Sequence, residues 1–246
     1  MEQVYKNGKL VAENGAMKEG ILAAEIKHID TPVRVGDSFH LKELTPEQLH
    51  MEKKSGQVRV LCFTPGELTT TERLVPWTEK EGYAPGVDVD RDIVKMAVFE
   101  RHHDTGHIGL GFLGGYGLKN GAVATSIAHD SHNLIIAGTN DADMILAGNT
   151  VRKNRGGLAV VADGKVLGEL ALPIAGLMSE EAAEAVDERL ETLKEEAGKL
   201  GISKEIDPFM TLAFASLPVI PKLRLNTYGL IDAEKQEIVD VMVGCM

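Results

Sequence analysis

The chain has 246 residues, of which 43% are hydrophobic, 4% are aromatic and 26% are charged, and its formal net charge is −11. A chain of this length can bury enough apolar surface to fold without disulfide or metal staples, and its excess of acids repels phosphate backbones and anionic lipid. We therefore expect a globular protein with a mainly aliphatic core, and we expect neither nucleic acid nor a membrane as a partner.

The cysteines and the N-terminus bear on the compartment. Cys62 and Cys245 are far apart and form no CxxC pattern, so free thiols in a reducing environment are the default. The first residues lack the apolar stretch of a secretory signal, and no apolar run reaches the roughly 18 residues of a membrane span. By elimination, the sequence predicts a cytoplasmic protein.

The first part of the chain has short elements. Residues 4–11 predict a hairpin around Asn7-Gly8, because Asn-Gly accepts the positive φ angles of a type I′ turn. Thr45-Pro46-Glu47-Gln48 predicts a helix start with a capping box, and residues 58–63 alternate as a strand. These patterns predict a β-rich N-terminal piece over residues 1–68, with a hairpin, a short helix and a strand.

The polar segment over residues 69–92 contains Pro76, Gly82, Pro85 and Gly86, which predicts a loop or linker. The main body, residues 93–246, then begins with several short apolar runs that are typical of strands, although a helix fits the first of them almost as well. These runs cover residues 93–100, 108–113, 122–128 and 134–137.

Two helices and a hairpin are predicted after these runs. Thr139-Asn140-Asp141 predicts the cap of a helix that ends near Lys153, and Asp163-Gly164 predicts a hairpin turn. A second helix is predicted from Ser179 to a terminal glycine at Gly201. Strand meanders with inserted helices indicate an α+β fold with mixed or antiparallel sheets and packed helices, and without a (β/α)₈ barrel.

Five of the eight histidines lie between Glu100 and Asn133. They form two clusters, Glu100-Arg101-His102-His103-Asp104-Thr105-Gly106-His107 and His129-Asp130-Ser131-His132-Asn133, and each cluster follows a predicted strand. Imidazole and carboxylate are the natural ligands of Zn, Mn or Fe. The clusters therefore predict either a metal or catalytic site or a hydrogen-bonded turn network.

Strand geometry limits which of these histidines can act together. His129 and His132 are three residues apart and would face opposite sides of a flat strand, so joint ligation needs a bend after Ala128. His102 and His103 are adjacent, so an extended backbone can offer only one of them to a given site.

The segment Gly109-Leu110-Gly111-Phe112-Leu113-Gly114 matches GxGxxG formally. In a dinucleotide fold this motif opens a helix, but here turn residues follow it over residues 115–121. We therefore expect no nucleotide cofactor, and we expect the glycines to allow close backbone approach or to shape a ligand loop.

Several strings resemble the C-terminal region of bacterial adenine deaminases. They are the first cluster through Gly106, Gly117-Leu118-Lys119, Ala128 together with the second cluster, Gly138-Thr139-Asn140-Asp141-Ala142-Asp143-Met144, Leu172-Pro173-Ile174-Ala175-Gly176-Leu177-Met178-Ser179, Pro208-Phe209-Met210-Thr211-Leu212 and Leu217-Pro218-Val219-Ile220-Pro221. Enzymes of this family hydrolyse adenine to hypoxanthine and ammonia in an amidohydrolase barrel that holds two metal ions. The resemblance implies a chain without that barrel.

The resemblance also narrows the expected site. It implies a divalent transition metal (Mn, Fe or Zn) held by His102 or His103 together with His129, Asp130 and His132. Other side chains of the segment are expected to bind a ligand: Glu100, Asp104, Ser131 and Asn133.

Three functional hypotheses follow. The chain acts in adenine deamination together with a separate amidohydrolase barrel subunit, it is a stand-alone metal-dependent hydrolase that uses its own His/Asp cluster, or it is a non-catalytic module that binds a purine or forms oligomers. A homo-oligomer is also expected, and a purine is a candidate small-molecule partner.

Overall fold

The computed structural model of the chain describes residues 2–20, 37–53 and 56–244, which belong to two compact units, Met1–Pro32 and Val33–Met246. The described part of the smaller unit is an antiparallel sheet of β1 (Gln3–Lys6), β2 (Lys9–Glu13) and β3 (Ala16–Met17). The hairpin predicted there is confirmed, since Asn7 and Gly8 have φ angles of 51° and 75°.

The larger unit contains the remaining described strands. They are β4 (Gln57–Phe63), β5 (Thr70–Pro76), β6 (Ile93–Phe99), β7 (Ile108–Gly114), β8 (Ala122–Thr125), β9 (Leu134–Gly138), β10 (Gly157–Ala162), β11 (Lys165–Ala171), β12 (Leu223–Asn226), β13 (Gly229–Asp232), β14 (Glu237–Val239) and β15 (Met242–Val243). Nine of them form one sheet in the order β11-β10-β8-β9-β6-β7-β4-β15, with β5 paired to β4. Within this sheet, β4 and β7 are parallel and the other pairs are antiparallel. Strands β12, β13 and β14 form a separate antiparallel sheet, which we call the small sheet.

Both faces of the large sheet are buried at its central strands, β6, β8, β9 and β10. From β6, Val94, Met96 and Val98 point to one core, while Ala97 and Phe99 point to the other, as the two-residue period of a strand requires. Three described helices, α1 (Asp141–Lys153), α2 (Ala183–Lys199) and α3 (Pro208–Ala215), cover these faces. Helix α1 packs on the Phe99 side, and α2, α3 and the small sheet pack on the Met96 side.

This architecture confirms the predicted α+β class, with mixed and antiparallel sheets and, over the described residues, no closed barrel. Two helix N-caps form at the residues where the sequence predicts them. Asn140 accepts a hydrogen bond from the backbone of Asp143 at the start of α1, and the capping box of Thr45 and Gln48 is present, although it opens only a 3₁₀ turn, Pro46–Leu49. Helix α2 begins at Ala183, four residues later than expected from Ser179.

The expectation of a loop over residues 69–92 is wrong for Thr70–Pro76. This segment is strand β5, and its full length pairs with β4. Its side chains are mostly exposed because it lies at the border of the sheet, so a polar pattern is compatible with pairing. Residues 33–246 form one compact unit, so the structure places no unit boundary within 69–92.

The tail contains a helix that the sequence interpretation did not assign. Asp207 caps α3 by accepting hydrogen bonds from the backbone of Phe209 and Met210, and Pro208 occupies the first helical turn. The sequence pair Asp207-Pro208 is typical of a helix start and could have predicted this helix.

Two further observations concern the described residues as a whole. None of their helices is both long and apolar enough to cross a bilayer. Cys62 is a buried free thiol whose pKa is raised by burial, while Cys245 lies outside the described residues.

Candidate functional site

The first predicted cluster folds as a turn around the carboxylate of Glu100. The backbone N–H groups of His102, His103 and Thr105 donate to this carboxylate at 2.6–3.2 Å, and the Thr105 hydroxyl donates at 3.1 Å. Burial raises the pKa of Glu100, but the hydrogen bonds from Thr105, His102 and His103 outweigh it and lower the pKa to about 2. Glu100 therefore stays ionised and holds the turn together, which is the hydrogen-bonded network that the sequence left open.

The second cluster bends after Ala128, three residues beyond the end of β8. The backbone N–H of His132 donates to the carbonyl oxygen of Ala128 at 2.5 Å, and His132 has a φ angle of 48°. This bend brings the rings of His129 and His132 to a centroid separation of 6.0 Å. The bend that joint action of these two histidines requires is therefore present.

Arg101 connects the two clusters. Its side chain is only 1% exposed, and it donates to the carbonyl oxygens of His132 at 2.5 Å, Ser38 at 3.2 Å and Ala175 at 2.9 Å. Its guanidinium also lies 4.9 Å from the ring centroid of Phe39. Burial lowers the pKa of Arg101 to about 10, against the opposing charge of Glu100, so it remains a cation at neutral pH. The sequence interpretation did not assign Arg101 a role.

His102 reaches the second cluster through its ring. The Nε2 atom of His102 lies 2.7 Å from the carbonyl oxygen of Ser131, and the buried side chain of Asn133 accepts from the Arg101 backbone N–H at 3.4 Å. By contrast, His103 is exposed, and Asp104 forms an exposed ion pair with Lys42 at 2.6 Å. The structure thus brings His102, His129 and His132 together and leaves His103 and Asp104 at the periphery.

His102 and His129, but not His132, line an open cleft of about 420 Å³. One wall consists of predicted site residues, namely Glu100, His102, His129, Asp130, Ser131 and Asn133. The other wall consists of residues that the sequence did not single out, namely Ser216, Leu217, Pro218, Val219, Asn226, Thr227 and Tyr228. In the sequence, only the string Leu217-Pro218-Val219-Ile220-Pro221, which resembles the adenine deaminase family, pointed to this second wall.

Two glycines of β7 allow the small sheet, which carries part of the second wall, to lie close to β7. A Cβ atom on Gly109 would lie 1.8 Å from the backbone oxygen of Asn226, and one on Gly111 would lie 3.3 Å from the Leu225 side chain. The small sheet can therefore lie directly on β7, which confirms that these glycines permit close backbone approach. No helix follows Gly114, so a pyrophosphate-binding helix terminus is not formed there.

The predicted metal ligands do not form a preformed centre. In the part of the chain that the structure describes, no three His, Cys, Asp or Glu side chains are placed to share one metal ion. Burial lowers the pKa of His132, His129 and Arg101 lower it further, and Asp130 opposes them, so His132 favours its neutral form. The residues present do not fit a metal site in this arrangement, and no metal-dependent step is assigned to them.

Comparison with known proteins agrees with the resemblance seen in the sequence. The family model of the adenine deaminase C-terminal domain matches residues 67–237. The chain is 46% identical to adenine deaminase 2 of Carboxydothermus hydrogenoformans over 238 residues, which are 97% of this chain and 40% of that protein. It is 43% identical to adenine deaminase of Moorella thermoacetica over 249 residues, 99% of this chain and 41% of that protein.

A third relative, adenine deaminase of Oleidesulfovibrio alaskensis, is 48% identical over 203 residues, which are 82% of this chain and 35% of that protein. The chain therefore spans about 40% of the length of the curated relatives that it matches. The family match covers more than half of the chain, and it establishes that this chain belongs to the adenine deaminase C-terminal domain family.

Proposed function

We propose that the chain acts in the hydrolytic deamination of adenine to hypoxanthine, as the domain that completes the site of an amidohydrolase barrel. The observation that carries the proposal is the convergence of His102, His129 and Asp130 on one cleft, in a chain whose relatives are named adenine deaminases. The barrel, either on a longer polypeptide or on a separate subunit, supplies the metal-dependent chemistry that the resemblance implies.

Two cleft residues have the chemistry to act on a ligand. Within the described residues, no side-chain hydrogen bond or ion pair engages the exposed carboxylate of Asp130. The half-buried ring of His129 contacts the Phe214 ring at a centroid distance of 4.9 Å and an interplanar angle of 38°. A carboxylate accepts hydrogen bonds from the N–H groups of a purine, whereas an imidazole can donate to or accept from purine nitrogens and can transfer protons near neutral pH.

Two other cleft residues, Glu100 and His102, are engaged in hydrogen bonds within the protein. Both carboxylate oxygens of Glu100 accept backbone hydrogen bonds, and the ring of His102 is hydrogen-bonded to Ser131. We therefore assign ligand contact to His129 and Asp130, and we assign the positioning of their loop to Glu100, His102 and the buried Arg101.

The proposal is tested with three proteins assayed for adenine-dependent ammonia release. They are the isolated chain, the C. hydrogenoformans relative without its matched segment, and a chimera in which this chain replaces that 238-residue segment. We expect the chimera to deaminate adenine, and we expect the other two to be inactive or far slower.

Each alternative has its own outcome in this experiment. Turnover by the isolated, metal-loaded chain would instead establish a stand-alone hydrolase. Full activity of the relative without the segment would show that the domain does not contribute to catalysis. A rise in the melting temperature of the isolated chain with adenine, combined with an inactive chimera, would indicate a purine-binding module.

A further inference from the structure

A second depression lies along α3, beside the cleft. This depression, about 160 Å³ in volume, is lined by Phe63, Glu67, Leu68, Met210, Thr211 and Phe214. Phe214 links the two depressions, because it lines the second one and its tilted ring contacts His129 at the wall of the cleft. We call the joined surface, with Leu68, Met210, Phe214, Val219 and Tyr228 as its apolar members, the apolar face.

Several members of the apolar face are unusually exposed. The exposed fractions of Val219, Tyr228 and Leu68 are 73%, 68% and 56%. Single exposed apolar residues are common, but a contiguous apolar surface on a globular protein marks a site of interaction. Methionine and aromatic side chains are enriched in protein interfaces, and both are present here.

The apolar face is held in place before any partner binds. The backbone N–H of Thr70 donates to the Pro221 carbonyl oxygen at 3.0 Å, and Nη2 of the buried Arg224 donates to the carbonyl oxygens of Leu68 at 2.6 Å and Pro221 at 2.8 Å. These bonds fix the loop of Leu68 to the loop that presents Val219. A surface fixed in this way loses little conformational entropy when it is covered.

The charge distribution distinguishes this face from a larger cleft elsewhere on the chain. None of the described residues that line the two depressions is lysine or arginine, although the chain contains 26 of them. The larger cleft, about 690 Å³ between the end of α2 and the start of α3, is lined by Lys194, Lys199 and Lys204 together with several acids. Lysine is depleted in interfaces, so the apolar face is the better docking surface.

We propose that the apolar face docks the catalytic barrel of an adenine deaminase, and this inference rests on the proposed function. The matched segment leaves about 60% of each relative outside the alignment, since it covers 40% and 41% of the first two. That remainder is a polypeptide large enough to cover both depressions. The docked barrel closes the cleft, so that His129 and Asp130 lie at the junction of the two domains.

Closure of the cleft has a chemical consequence. Exclusion of water from the cleft strengthens hydrogen bonds and charge interactions between its side chains and a bound purine. The two exposed groups to which we assigned ligand contact then become an enclosed part of the active site.

Hydroxyl-radical footprinting of the chimera and of the isolated chain tests the docking. We expect the labelling of Leu68, Met210 and Tyr228 to fall by about threefold or more in the chimera, as for residues buried at the centre of an interface. Leu167, an exposed apolar residue on β11 that lines neither depression, serves as the internal control and should be labelled equally in both. Equal labelling of the apolar face in both proteins would overturn the proposal.

Two surface variants separate docking from the proposed function. Val219→Lys in the chimera should expose the face and raise its labelling, while Val166→Lys on β11, which is also exposed, should change nothing. An active chimera with an unprotected apolar face would reject the docking surface and leave the function standing. A protected face in a chimera that lacks activity would reject the function and leave the docking surface standing.

Discussion

The Nε atom of Arg101 donates a hydrogen bond to the carbonyl oxygen of His132 at 2.5 Å, and this contact joins the two histidine clusters. The guanidinium also donates hydrogen bonds to the carbonyl oxygens of Ser38 and Ala175. This buried cation therefore connects its own segment to three other segments of the chain. The positions of His129 and His132 therefore depend on a residue that does not line the cleft.

Arg101→Met should lower the free energy of unfolding by about 2–4 kcal/mol, because it removes three hydrogen bonds that the buried guanidinium donates to backbone carbonyl groups. Arg101→Lys should recover little of this loss, because an ammonium group cannot reproduce the planar fork of a guanidinium. Urea unfolding measures both values. The control is Arg189→Met on the exposed face of α2, which should stay within about 0.5 kcal/mol of the parent. Equal effects at Arg101 and Arg189 would contradict the role of Arg101.

Glu100 should make the stability of the domain depend on pH. Its pKa is about 2 in the folded chain against an ordinary value of 4.5, so its contribution is present above pH 4.5 and is lost as the pH falls towards 2. After allowance for partial exposure, we expect Glu100→Gln to cost about 1–3 kcal/mol at pH 7 and much less near pH 2. Unfolding free energies measured across this range give the comparison.

The control for Glu100 is Glu52→Gln, which changes an exposed carboxylate outside the turn. A cost of Glu100→Gln that is the same at pH 7 and pH 2 would show that the carboxylate charge does not stabilise the turn.

Gly109→Ala should destabilise the chain by about 1–3 kcal/mol or more, because the added Cβ atom would meet the Asn226 backbone oxygen at 1.8 Å and force the small sheet away from β7. Gly198→Ala in α2 is the matched substitution, since a Cβ atom there meets nothing within 4 Å. It should stabilise the chain by about 0.5–1 kcal/mol. Thermal unfolding distinguishes the two, and an unchanged melting temperature for Gly109→Ala would refute the close approach.

Asp130→Asn should reduce adenine deamination by the chimera about tenfold or more without lowering its melting temperature, because the carboxylate is exposed and lies at the cleft. Asp187→Asn, an exposed acid on α2, should leave the rate unchanged. Steady-state kinetics with adenine provide the measurement. Full activity of the Asp130 variant would remove this residue from the proposed site.

The local elements were largely determined by the sequence itself. Asn7-Gly8, the Thr45 capping box, the Asn140 cap and the Asp163-Gly164 turn act over a few residues, so their structures follow from local backbone preferences. Residues of β5 were misassigned because the strand lies at the sheet border, where a polar pattern resembles a loop. The turn of the first histidine cluster is local in the same way, since the Glu100 carboxylate accepts hydrogen bonds from His103 and Thr105 of its own turn.

The tertiary structure decided which residues share a site. Pairing of β6 with both β7 and β9 places the first cluster beside the second, and the bend after Ala128 turns the two rings of the second towards each other. The small sheet and α3 then add a wall about 90 residues away in sequence, as the contact between Ser216 and His129 shows. No local preference encodes such long-range contacts, because they depend on how whole sheets and helices pack against one another.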